Sequence, residues 1–204
     1  MFRLILIFFL LLSESVKAHT FTGMIGFYDG ISHPVLGLDH FLAMVSVGII
    51  SAQIGGRYIW IIPSVFVIMM IFGGVIGMVL EINQMLFTNY IIENISTFIE
   101  TGIYLSLILL GLTIAIEKKI SLNLIILFIS IFGLCHGAAH GLEIPWAANP
   151  ILFGLGFATG TSTLHLFGVG IGTFSIQNKY SYSLLRLSGA CCALYGTYLI
   201  FLFF

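Results

Sequence analysis

Residues 121–143, SLNLIILFISIFGLCHGAAHGLE, decide the fold. No Lys, Arg, Asp or Glu interrupts this run before Glu143. An apolar stretch of about 20 residues is what a helix needs to cross the hydrocarbon core of a bilayer. The same run then breaks its own pattern with His136 and His140. Groups of this polarity cost roughly 2.5–3.5 kcal/mol at mid-membrane when charged, so their presence asks for a reason.

Working outward, apolar runs between polar breaks predict six spans, at 34–54, 58–80, 96–116, 121–141, 150–173 and 183–204. Of 204 residues 59% are hydrophobic and 7% charged, against roughly a quarter charged in soluble domains, which excludes a water-soluble fold. The fold class expected is all-α, a polytopic membrane bundle of six transmembrane helices forming one domain over residues 19–204. There is no basic patch for nucleic acid. Cys135, Cys191 and Cys192 lie in apolar stretches without metal-ligand spacing and read as small packing residues.

Residues 1–18 read as a cleavable signal peptide, with Arg3 ahead of nine apolar residues, Leu4 to Leu12, and a polar stretch ending at Ala18. Nine residues reach about 14 Å as a helix, half a bilayer core. Cleavage after Ala18 would leave His19 at the mature N-terminus, where its imidazole and the free amine can chelate a metal.

The cations order the spans. Arg57, Lys118 and Lys119, and Lys179 with Arg186 all fall at the turns of one side, while Asp29, Glu81, Glu93 and Glu143 fall on the other. The positive-inside rule makes the cationic side cytoplasmic, so both mature termini are expected on the periplasmic side of a bacterial inner membrane. Gly133, Gly137 and Gly141, and Gly73 with Gly77, form small-residue faces suited to close helix packing.

The ionisable residues gather in two segments. Residues 33–44, HPVLGLDHFLAM, open the first span, and Pro34 suits a first helical position, where no amide hydrogen bond is lost. A helix starting there puts His40 about two turns inward on the side of His33, with Asp39 beside it and Met44 one turn deeper. In the fourth span His136, His140 and Glu143 stand at i, i+4 and i+7, a stripe that can converge on one ion. Both segments lie in the same half of the membrane and can meet. His165 lies about 22 Å along the fifth span, past the midplane, as a second and deeper station. Glu100 and Glu117 read as groups near span ends that snorkel to the surface, and Met24 and Met44 as packing residues.

Imidazole with carboxylate and no thiolate favours nickel, cobalt or zinc over copper(I). The expected activity is a permease rather than an enzyme, capturing the ion through His33, Asp39, His40, His136, His140 and Glu143, assisted by His19, and passing it inward by His165. The rival is an intramembrane zinc-dependent hydrolase in which Asp39 or Glu143 acts on a metal-bound water. Metal flux without hydrolysis separates the two. A haem bundle is a third class, which a spectrum without a Soret band dismisses.

At these residues the chain resembles the HupE/UreJ family. His33-Pro34, Gly37, Asp39-His40 and Ala43-Met44-Val45 look like its first signature, and residues 136–143, HGAAHGLE, are similar to its second. The resemblance runs over essentially the whole chain. It implies Ni(II) or Co(II) as the transported ion and a link to hydrogenase, urease or cobalamin supply, which spacing and composition do not show.

Overall fold

The computed structural model describes residues 26–83, 89–116, 120–144 and 149–204. The signal peptide, His19, Met24, Glu117, Lys118 and Lys119 lie outside the described residues. Those described form seven helices and no strand: α1 (Phe27–Leu36), α2 (Leu38–Ile54), α3 (Tyr58–Ile82), α4 (Asn89–Ala115), α5 (Leu122–Leu142), α6 (Pro150–Ile176) and α7 (Lys179–Phe203). Helices α3 to α7 are each long and apolar enough to cross a membrane, and α1 with α2 make a sixth, broken span. The protein is a polytopic membrane helix bundle.

The first span differs from the straight helix the sequence predicts. It breaks at Gly37, where the two pieces meet at 85°. Pro34 does not open a helix; it is the eighth residue of α1. The helix begins earlier because Asp29 accepts a hydrogen bond from the Gly26 amide at 3.1 Å, closing a first turn that the polar segment Tyr28-Asp29-Gly30 conceals in the sequence. Downstream, Pro34 and the extended backbone of Gly37 stop the helix.

Other ends follow from single residues. Asn149 accepts from the amides of Ile151 and Leu152, with Pro150 at the first helical position. Asn178 caps α7 through the Tyr180 amide. Between α2 and α3 the chain reverses at Gly55 and Gly56, with φ of 76° and 58°, a region that side chains with a Cβ avoid. At that same end, Arg186 Nε donates to the Ala115 carbonyl at the C-terminus of α4, at 2.8 Å.

Helices α3 and α5 run parallel, with Phe66, Met70 and Gly74 facing Gly133, Gly137 and Gly141 in turn. A methyl group built on Gly137 would run into the Met70 carbonyl. The absent Cβ is what lets the two backbones touch. Phe66, Met44, Met70, Ile50 and Ile62 fill the centre and are fully buried. This packing carries the C-terminal turn of α5 up against the break between α1 and α2.

Candidate metal centre

The two segments meet. The His40 ring lies 4.6 Å from that of His140 and 5.1 Å from that of His136, centroid to centroid, and the His33 ring lies 4.4 Å from His140. His33 Nε2 stands 3.8 Å from a Glu143 oxygen. His33 reaches the cluster from α1 and His40 from α2. The 85° bend turns both inward, where a continuous helix would have set them on one straight stripe.

His33, His140 and Glu143 each offer one donor atom within 4.8 Å of the others. Nitrogen and oxygen donors sit roughly 2.0–2.2 Å from a zinc-like ion, which sets them roughly 3.3–3.6 Å apart in a tetrahedron, so the widest pair would draw together by up to about 1.5 Å to hold one. Burial grades across it. The Glu143 side chain is 54% exposed and that of His33 21%, whereas His140 is 3% exposed and His136 not at all. Exposure therefore falls from a mouth at Glu143 and His33 to a buried interior at His140 and His136.

Hydrogen bonds fix which nitrogens face that interior. Asp39 Oδ1 accepts from the backbone amide and from ring Nδ1 of His40, both at 2.9 Å. The Phe132 carbonyl accepts from His136 Nδ1 at 2.8 Å. A carbonyl cannot donate, so His136 carries its proton on Nδ1 and presents a lone pair at Nε2. Nε2 of His40 and of His136 and both ring nitrogens of His140 are buried with no hydrogen-bond partner among the described residues. Buried polar atoms normally find partners, and several clustered lone pairs without one fit a cation.

The backbone adds to this field. His33 lies in the last turn of α1, His140 in the last turn of α5, and Glu143 caps α5. Two helix C-termini thus bring the negative ends of their dipoles to the cluster, while Asp39 offsets the positive end of α2. Phe157, with its ring 4.2 Å from His140, and Phe153, 6.1 Å from His33, form an aromatic wall.

His165 stands apart. It is fully buried, neither ring nitrogen has a partner among the described residues, and the Phe66 ring separates it from His136 at 5.2 and 5.5 Å. Met44 is a core residue.

Glu100 is the residue sequence reasoning passed over. Because α4 begins at Asn89 and not at 96, Glu100 sits in its twelfth position, within electrostatic reach of His40, Asp39 and Glu143, and it accepts a hydrogen bond from Tyr104. The available signal was a carboxylate well inside an apolar run, hidden by a span boundary drawn too late.

A sequence model of the HupE / UreJ protein family matches residues 7–199 of the chain. The chain belongs to the HupE / UreJ family. It is 36% identical over 192 residues to Protein HupE of Rhizobium leguminosarum bv. viciae, an alignment covering 94% of this chain and 93% of that relative. No solved structure matches it. Both the α1–α2 break and the histidine end of α5 fall inside the HupE / UreJ match.

Proposed function

We propose that this member of the HupE / UreJ family is a permease carrying Ni(II) or Co(II) into the cytoplasm through His33, Asp39, His40, His136, His140 and Glu143. The observation that carries the reading is the set of buried imidazole nitrogens lacking hydrogen-bond partners, gathered behind the Glu143 and His33 mouth. The family's association with nickel and cobalt transport supports the choice of ion. Glu143 and His33 take the ion at the mouth, His140 passes it to His40 and His136, and His165 receives it beyond Phe66.

On this reading the signal peptide of residues 1–18 is removed, residues 19–204 form one domain in the inner membrane, and His19 adds a chelating amine and imidazole at the periplasmic face. Arg57, Lys179 and Arg186 then mark the cytoplasmic face. Two charges moving down a 100 mV potential release about 4.6 kcal/mol, so uptake needs no nucleotide.

The test is uptake into proteoliposomes loaded with a metal indicator, comparing nickel, cobalt and zinc at an imposed potential, inside negative. Potential-dependent entry of nickel or cobalt supports the permease. Absence of flux together with metal-dependent cleavage of a membrane substrate would replace it with the hydrolase.

Asp39 acts through His40, holding the ring proton on Nδ1 so that Nε2 can bind. Partners of this kind are worth about 10- to 100-fold in metal affinity. Asp39→Asn is therefore expected to weaken nickel binding by that factor in calorimetric titration, while the variant remains folded. Unchanged affinity would remove Asp39 from the site.

A further inference from the structure

The contacts of α3 with α5 recur, residue for residue, between α6 and α2. A Cβ on Gly137 would meet the Met70 carbonyl and the Gly74 amide, and one on Gly48 would meet the His165 carbonyl and the Val169 amide. Gly73 packs on the Leu134 carbonyl as Gly168 packs on that of Val45, and Gly77 on Ala138 and Gly141 as Gly172 on Ile49 and Ala52. One pair of shifts relates all of these, from α3 to α6 (70 to 165, 73 to 168, 77 to 172) and from α2 to α5 (45 to 134, 48 to 137, 52 to 141).

The same shift predicts contacts it was not drawn from. It turns the Thr161–Met70 hydrogen bond at 3.6 Å into a His165–Phe66 contact, and those two rings lie 5.2 Å apart. The sequence carries a trace: FGGVIG at 72–77 becomes FGVGIG at 167–172. Successive spans alternate in direction, so α2, α3 and α4 each run opposite to α5, α6 and α7. The remaining pair, α4 and α7, cross with Gly111 and Gly189 each packed on the other's carbonyl.

This is the arrangement of an inverted-topology repeat, about an axis passing through the meeting of Phe66, Met70, Thr161 and His165. Transporters built this way expose a central site alternately to either face by rocking one half against the other. Their two ends are equivalent in backbone, and the conformation of each half can be adopted by the other.

At the end away from the histidines the bundle holds a cavity of about 230 Å³, lined among others by Ile50, Thr113, Phe128, Ile129 and Phe132. Under the α2-to-α5 shift, Phe128 and Ile129 are the counterparts of Asp39 and His40 (39 to 128, 40 to 129), and Phe132 of Ala43. The cavity therefore occupies, in the second half, the place the metal centre occupies in the first. Its lining is apolar apart from Thr113, so it offers an ion no charged or imidazole ligand.

We infer that α2–α4 and α5–α7 are inverted copies of one three-helix unit, and that the cavity at Ile129 is the exit through which the site opens to the opposite face. The exit role rests on the transport reading above; the repeat and the opening stand without it.

Ile129 is 1% exposed, so a thiol placed there reacts only when that end opens. Ile129→Cys is made with Cys135, Cys191 and Cys192 replaced by alanine, and challenged in sealed vesicles with a charged, membrane-impermeant maleimide from the Arg57 and Lys179 face. Leu127→Cys, on the outward side of the same helix and 52% exposed, reports the rate in hydrocarbon. Ile129→Cys is expected to react roughly a hundredfold faster than Leu127→Cys, the ratio set by the penalty for a charge in lipid. Phe132→Cys serves as a second probe should Ile129→Cys fail to fold. Equal rates at both probes and the lipid-facing control would overturn the inference. Nickel titration of the unmodified protein separates the readings: binding without probe reactivity removes the exit and leaves the metal centre, and reactivity without binding does the reverse.

Discussion

Nickel uptake into proteoliposomes falls at least tenfold, and up to a hundredfold or beyond, when His140 is replaced by alanine. The scale follows from residues that only orient a ligand, whose loss already costs about 10- to 100-fold. His140 is the junction of the cluster, with its ring 4.4 Å from His33, 4.6 Å from His40 and 4.2 Å from Phe157. Removing it severs the mouth from the interior. His136→Ala is expected to lose uptake while retaining part of the nickel binding, because His33, His140 and Glu143 still form a group without it. The readouts are initial uptake rate and equilibrium binding, on protein that remains monodisperse in detergent. Uptake by His140→Ala and His136→Ala equal to that of the intact chain would remove the cluster from transport.

Gly168→Val and Gly170→Val, two residues apart on one helix, are expected to behave in opposite ways. A Cβ on Gly168 would run into the Val45 carbonyl and crowd Gly48, where backbone must move rather than a flexible side chain. Overpacking of a core costs about 1–3 kcal/mol, and a clash between two backbones lies at or above the top of that range. Gly170 has nothing within 4 Å of the same position. Its substitution is expected to change stability by no more than about 0.5 kcal/mol. Thermal unfolding in detergent measures both, and Gly73→Val on α3 is expected to match Gly168→Val. A Gly168 variant as stable as the Gly170 one would show that α2 and α6 do not depend on close approach.

The spans were legible because a bilayer leaves a helix few alternatives: apolar length and polar breaks located the second, fourth, fifth and sixth within a few residues, while the first and third begin seven residues before the predicted starts. The stripe of His136, His140 and Glu143 was legible for the same reason, since costly groups at helical spacing stand out against an apolar background. What the sequence hid were places where the chain departs from a straight rod. Pro34 suits a helix start as well as a helix end, and only the Asp29 cap upstream and the extended Gly37 downstream make it the latter. Glu100 was hidden by the reverse error, a helix that begins seven residues before the apolar run suggested. The second set of backbone contacts was less legible still. It is written in glycines whose partners lie about 120 residues away, where no local pattern reaches.

On the transport reading proposed above, the aromatic wall beside His140 would also decide what is turned away. A hydrated ion taken up at Glu143 and His33 would give up its shell beside Phe153 and Phe157, and the imidazoles beyond would offer nitrogen in exchange for oxygen. Magnesium dehydrates reluctantly and calcium prefers six to eight oxygen donors, so neither is compensated for the water it would leave behind. On that reading, abundant hard cations would be refused by the same aromatic rings that leave the nitrogen lone pairs to a rarer ion.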